Sequence, residues 1–216
     1  TLKANPPNAI LGYSLGGVIA AEICAFLHQY TGATPKLIIL DTLCPSTLRE
    51  SGHNFPDYDI KSWTERVVQM RTAYINGGKT DSEYKNNING KANRLEVLGA
   101  MQRQGIISTA ETLESFNQYL KNGLRQYEAY RSYTPPPLQM PCLIARAGEQ
   151  EEAIKKLLNA SGKPEMLGWE NCLQGQVTTI ELKGDHVSMI RGKDKKDNDK
   201  VLAKSILSFL QPNGKH

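Results

Sequence analysis

The stretch Asn8-Ala-Ile-Leu-Gly-Tyr-Ser-Leu-Gly-Gly17, continued by Val18-Ile-Ala-Ala-Glu-Ile-Cys-Ala-Phe-Leu27, decides the fold. A short apolar run, a serine flanked by glycines and a helix-forming sequence in direct succession predict a strand, a sharp turn and a helix, with Ser14 raised at the turn. Gly12 and Gly16 are read as the places where absent side chains let the backbone pass close on both sides of a strained serine. The first N–H of the helix, that of Leu15, then faces a negative oxygen developing on whatever Ser14 attacks. A Gly-x-Ser-x-Gly on its own also suits a plain turn, so the rest of the chain has to supply the partners.

Working outward, Val18 to Tyr30 reads as a helix, apolar nearly all round and therefore packed against a sheet, and Thr31-Gly-Ala-Thr-Pro35 stops it. Lys36-Leu-Ile-Ile-Leu-Asp41 follows as an apolar run without alternation, which predicts a buried parallel strand ending in an acid. Strand, helix, strand with a right-handed crossover is the unit of an α/β fold with a mostly parallel sheet. Function in such sheets gathers at the carboxyl ends of strands, which brings Asp41 toward Ser14. As a turn former before Thr42 and Pro45, Asp41 also fits a capping role.

Two further strands are predicted, Cys142 to Ala147 and Gln176 to Leu182. Beyond the first stands Glu149, a second acid at a strand end and a competitor to Asp41; a short amphipathic helix, Ala153 to Leu158, comes next. Beyond the last strand stands Gly184-Asp-His-Val-Ser-Met189, and His186 is the histidine at a strand end. Gly184 permits the turn that aims it back. His28 falls late in a helix, His53 in a polar loop and His216 at the terminus. Serine, acid and histidine occur in the chain order of a hydrolase triad, against which stands a plain capping histidine before the closing helix, Val201 to Leu210.

Between Pro45 and Tyr133 the pattern turns to polar helices, Asp59 to Tyr74, Ala92 to Gln104 and Thr109 to Tyr130, joined by the turn-rich stretches Asn76 to Asp81 and Asn86 to Gly90. An insertion of this kind, at about 45–133, is expected to be a lid over the strand ends. Its Met70, Tyr74, Leu98, Met101 and Phe116 fit either an acyl pocket or ordinary helix packing.

The 216 residues, 39% hydrophobic, suit one domain, 1–216, with an insertion. Only Thr1 to Asn8 stand before the first strand, where a full sheet of this kind has several strands and a helix. The expectation is an N-terminally incomplete domain whose second oxyanion donor lies outside this chain. No apolar run approaches a membrane span, and the opening does not read as a signal peptide. Cys24, Cys44, Cys142 and Cys172 lack metal or redox spacing and three lie by apolar runs, so buried, reduced thiols and a cytoplasmic setting are expected, with neither metal nor cofactor. The charge is +4, from 26 basic and 22 acidic residues, and its dense run Lys193 to Lys200 mixes signs, which predicts a solvated loop rather than a nucleic-acid patch.

Gly12-Tyr-Ser-Leu-Gly-Gly17, the acid 27 residues after the serine, Gly168-Trp-Glu-Asn171 and Gly184-Asp-His-Val-Ser-Met189 together resemble the type I thioesterase domains that end nonribosomal peptide synthetases and polyketide synthases. The resemblance implies an α/β-hydrolase fold and a triad of Ser14, Asp41 and His186, with the acid on the strand after the first helix rather than at Glu149. It also implies upstream megasynthase modules and a carrier domain whose phosphopantetheine arm presents an acyl or peptidyl chain. Release by hydrolysis or macrocyclisation follows from the same resemblance. A stand-alone editing thioesterase, an esterase or lipase of the same fold, and a non-catalytic carrier- or acyl-binding relative are the alternatives. Activity on carrier thioesters against simple esters, and labelling of Ser14 by a fluorophosphonate, separate them.

Overall fold

The structure, a computed structural model, describes residues 5–52, 55–75, 94–160 and 162–211. The expected turns at Asn76 to Asp81 and Asn86 to Gly90, and His53 and His216, lie outside them. Four strands, β1 (Ala9–Tyr13), β2 (Lys36–Leu40), β3 (Cys142–Ala147) and β4 (Val177–Leu182), form one sheet in the order β1-β2-β3-β4, every neighbouring pair parallel. Register sets Tyr13 opposite Leu40 and Leu40 opposite Ala145, so the carboxyl ends of β1 and β2 finish level.

An order that follows the chain, combined with right-handed crossovers, puts every connecting helix on one face. The cores agree with this. Leu37, Ile39, Cys142 and Ile144 pack on that face with Val18, Ala21 and Cys24 of α1 (Leu15–Thr31) and with Ile154 and Leu158 of the later helix Glu152–Ala160. The alternate residues Ile38, Leu40, Leu143 and Ala145 face the other way, where the C-terminal helix Lys195–Leu210 covers them with Leu202, Ile206 and Phe209. Each fully buried Leu or Ile contributes about 1.5–3 kcal/mol, and β2 and β3 are apolar on both faces because both faces are covered.

The first helix departs from expectation. Only one side of α1 is buried, whereas Ile19, Ile23, Phe26 and Tyr30 are exposed, as is Leu11 of β1 at 49%. Helix and strand stand at the sheet's edge, where β1 pairs with β2 alone among the described residues.

The region between β2 and β3 holds α2 (Pro45–Glu50), α3 (Ile60–Ile75), α4 (Arg94–Arg103) and α5 (Leu113–Ser132). Thr112 caps α5 through a reciprocal pair of hydrogen bonds with Ser115. A separate core joins α3, α4 and α5 through Trp63, Val67, Met101, Phe116 and Leu120. Leu98, Met101 and Phe116 are buried within it, so they pack helix on helix; Met70 is exposed, and the side chain of Tyr74 lies outside the described residues. The short α2, which the sequence pattern did not reveal, places Leu48 in the sheet's core instead. Arg49 on α2 fixes the far end of α5 by donating to the carbonyl oxygens of Arg131 at 2.7 Å and Tyr133 at 2.9 Å.

After β3 come α6 (Glu152–Ala160), α7 (Ser188–Arg191) and α8 (Lys195–Leu210). The run Lys193 to Lys200 is therefore largely the start of α8 rather than a loop. Its mixed charges are pairs one turn apart, Lys195 with Asp199 and Lys200 with Asp197, and these support helix rather than oppose it. All four cysteines are free and buried. Among the described residues no helix is long and apolar enough to cross a membrane.

Candidate active site

Ser14 leaves β1 with φ 55° and ψ −132°, a conformation that costs a non-glycine residue of order 1–3 kcal/mol. Three neighbours hold it there. Its own N–H donates to Leu40 O at 3.0 Å, and its carbonyl accepts from Gly17 N at 2.9 Å and from the Thr42 hydroxyl at 2.5 Å. A Cβ on Gly12 would lie 1.9 Å from the carbonyl oxygen of Gly16, so this position tolerates only glycine. The second steric requirement falls on Gly17, whose added Cβ would meet Thr42 Oγ1 at 2.1 Å, whereas Gly16 faces open space. The motif points to Gly16, but the backbone of Gly16, not its missing side chain, is what crowds the turn.

Leu15 opens α1, and its N–H is among those a helix start leaves without an intrahelical acceptor.

Asp41 sits one residue beyond β2 with φ 45°, and its N–H donates to Ala145 O at 2.7 Å, which keeps it in the sheet ladder. An acid tolerates this left-handed geometry better than most residues. Its carboxylate is buried and fully engaged. Oδ1 accepts from Ala147 N at 2.8 Å and from Gln150 Nε2 at 2.9 Å, and Oδ2 lies 2.8 Å from His186 Nδ1. Because an ionised carboxylate only accepts, the geometry assigns the proton to Nδ1 and leaves Nε2 as the basic nitrogen. Behind Asp41, Trp169 is fully buried and donates its indole N–H to Thr42 O at 2.7 Å. That indole explains the Gly168-Trp169 pair: Gly168 adopts φ 83° against Thr47, whose hydroxyl donates to its carbonyl.

The loop carrying His186 is built by the residues around it. Gly184 has φ 90°, and a Cβ there would lie 2.4 Å from Ser188 Oγ. Asp185 accepts from Val187 N at 2.9 Å and Ser188 N at 2.7 Å, while its own N–H donates to Ser188 Oγ at 2.8 Å. From α8, buried Asn198 accepts from Lys183 N at 3.0 Å and donates to the carbonyls of Lys183 and Met189, both at 2.9 Å. The ring of His186, with a side chain 43% exposed, lies flat against Tyr13.

The structure therefore joins Asp41 to His186 and lays His186 on the residue that precedes Ser14. It forms no hydrogen bond between Ser14 Oγ and His186 among the described residues. Such contacts are often long before substrate binds. Glu149, the competing acid, is exposed; its backbone N–H donates to Gly184 O at 2.9 Å, and it is its neighbour Gln150 that reaches the site. His28 is exposed on α1. Tyr13, Gln150, Trp169 and Asn198 were not singled out by sequence as parts of the site; the aromatic inside the serine motif and the Gly-Trp pair were the only signals for any of them. Among the described residues no group of three or more His, Cys, Asp or Glu side chains could hold a metal.

Nearby, Cys44 and Cys172 lie with their sulfurs 3.9 Å apart. The Cys172 thiol, the Ser46 hydroxyl and the Thr47 N–H bring the Cys44 thiol down to about 6 against the burial that opposes them, and Cys172 is pushed up in turn. Burial alone pushes Cys24 up to about 11.

The sequence model of a family described as thioesterase domain matches residues 1–205. A search of the curated proteins returns no match. Among solved structures, the chain is similar to holo-AB3403, a four-domain nonribosomal peptide synthetase bound to AMP and glycine, with 23% identity and a TM-score of 0.72. That similarity covers 96% of this chain and 15% of the synthetase, so the chain spans a small part of its length. The Vlm2 thioesterase domain, solved with a dodecadepsipeptide, is 21% identical at a TM-score of 0.56, over 94% of this chain and 71% of its own. The NocB thioesterase domain, in covalent complex with a fluorophosphonate nocardicin G analogue, is 13% identical at a TM-score of 0.52, over 95% of this chain and 69% of its own. At these identities the likeness concerns the fold, which is that of the α/β hydrolases.

Proposed function

The chain belongs to the thioesterase domain family, and from that membership we propose that it releases an acyl or peptidyl chain from the phosphopantetheine arm of a carrier domain through an acyl-enzyme on Ser14. The observation that carries this reading is the buried Asp41 carboxylate. One of its oxygens is saturated by Ala147 and Gln150, and the other is turned to His186 Nδ1 at 2.8 Å.

In the proposed first step His186 Nε2 takes the Ser14 hydroxyl proton as Oγ bonds to the thioester carbonyl carbon. Asp41 holds the ring in the accepting tautomer and stabilises the imidazolium that results. The carbonyl oxygen becomes an oxyanion facing Leu15 N–H. Collapse expels the thiol, which takes the proton from His186, and leaves the ester on Ser14. In the second step a water, or a hydroxyl or amine of the chain itself, gives its proton to His186 and attacks the ester, and collapse breaks the bond to Ser14 Oγ, which takes that proton back from His186. Hydrolysis yields an acid, and the internal nucleophile yields a ring. The helices α3 to α5, with their own core, serve in this reading as the lid over the acyl-enzyme.

Release of product from an acyl-pantetheine thioester, with mass spectrometry of the protein, tests the proposal. Wild type is expected to accumulate an adduct on Ser14, and Ser14→Ala to show neither adduct nor release. Undiminished release by Ser14→Ala, or unchanged turnover in Asp41→Asn beside an inactive Glu149→Gln, would refute it.

A further inference from the structure

Tyr13 touches His186 in two ways. Its ring stacks on the imidazole, centroids 4.7 Å apart and planes 16° from parallel, and its hydroxyl donates to the His186 carbonyl oxygen at 2.6 Å. Tyr13 also ends β1 and is bonded covalently to Ser14. One residue thus stands against the ring and the main chain of His186 while belonging to the strand that delivers the serine.

A single hydrogen bond at Nδ1 behaves as a hinge: it fixes one nitrogen and leaves the ring free to swing about the line to Asp41 Oδ2. With its side chain 43% exposed, the ring borders solvent over much of its surface. A flat aromatic face laid along the imidazole removes that swing, because tilting the ring breaks a favourable stack. The loop's other ties, from Asn198 and from Asp185 with Ser188, anchor its backbone to α8 and to itself. Tyr13 ties it to β1. We propose that Tyr13 is a positioning residue for acyl transfer, its stack setting the plane of the His186 ring and its phenol fixing the height of the loop above Ser14, an inference that rests on the acyl-enzyme reading above.

Tyr13→Phe keeps the stack and removes the donor, Tyr13→Leu removes both, and Tyr13→Trp restores a flat face without the phenol. The measurements are kcat and KM on an acyl-pantetheine thioester, the rate at which a fluorophosphonate labels Ser14, and the low-field proton NMR signal of the Nδ1–H shared with Asp41. The expected loss in kcat is about fivefold for Tyr13→Phe, the effect of one neutral hydrogen bond. For Tyr13→Leu it is about a hundredfold, the effect of a misplaced reacting group. Labelling falls in parallel, KM stays level, the low-field signal broadens in Tyr13→Leu, and Tyr13→Trp recovers part of the loss. Wild-type labelling rates in both Tyr13→Phe and Tyr13→Leu, or a loss confined to KM, would overturn the inference. Should Tyr13→Leu fail to fold by circular dichroism, Tyr13→Phe decides alone: a lowered kcat supports the inference and an unchanged one overturns it. A wild-type protein that the probe does not label at Ser14 would sink the acyl-enzyme reading itself, whereas labelled wild type with unaffected Tyr13 variants sinks only the role of Tyr13.

Discussion

Gln150 Nε2 donates to Asp41 Oδ1 at 2.9 Å, so the acid that meets His186 is held through the oxygen that His186 does not use. The same amide also donates to Ala147 O at 3.2 Å, which fixes its own orientation against the end of β3. Gln150→Leu removes a donor from a buried carboxylate and lets it rotate. The expected outcome is a kcat for thioester release lower by about tenfold, the scale of one hydrogen bond to a charged group, with KM little changed. Steady-state kinetics on an acyl-pantetheine thioester check it.

The three glycines of the serine turn have different tolerances. Gly12→Ala drives a Cβ into the backbone of Gly16 and is expected to abolish soluble protein or Ser14 labelling. Gly17→Ala meets the Thr42 side chain, which has to give up its bond to Ser14 O, and is expected to slow labelling while the fold survives. Gly16→Ala adds a methyl to open space within a helix and is expected to stabilise by up to about 1 kcal/mol. Thermal melts beside fluorophosphonate labelling separate the three.

Trp169 fills the core behind the acid and satisfies Thr42 O. Trp169→Phe keeps most of the apolar volume and orphans that carbonyl, at an expected cost of about 1–3 kcal/mol. Trp169→Ala also opens a cavity and is expected to cost about 3–5 kcal/mol. Denaturant titrations read both.

The thiol pair gives stability a pH dependence with a definite sign. Cys44 titrates at about 6 when folded against an ordinary value near 9, so between these the unfolded chain binds more protons and stability rises with pH. The contribution is complete above about pH 9 and lost as pH falls through about 6. Cys172, raised by its neighbour, acts in the opposite sense above its ordinary value, where the folded chain keeps a proton the unfolded one loses. Cys44→Ser is expected to flatten the rise between pH 6 and 9 in melts run under reducing conditions.

What sequence disclosed was whatever its neighbours along the chain imply. Lys36 to Leu40 and Cys142 to Ala147 show as strands because both their faces are buried, and Ser14, Asp41 and His186 show because each follows a strand or a turn signal. The residues that hold those three in place escaped because their partners are remote: Gln150 is 109 positions from Asp41, and Tyr13 is 173 from His186. Nothing local distinguishes a tyrosine that stacks on a histidine from one that packs in a core. The start of α8 was hidden for a related reason, since a charged run reads as solvent whether it is coil or the outer turns of a helix. Gly16 and Gly17 are adjacent, and only the position of Thr42 tells which of them cannot take a side chain.

Among the described residues, the strand that ends at Tyr13 and hands the chain to Ser14 is an outer member of the sheet, and Leu11 on it meets solvent. Backbone amides bonded on one flank alone open more readily than those enclosed between two strands. Among the described residues, Ser14 thus rides on a rail clamped by β2. A polypeptide laid along the other flank would stiffen the ground beneath Ser14 without approaching its hydroxyl.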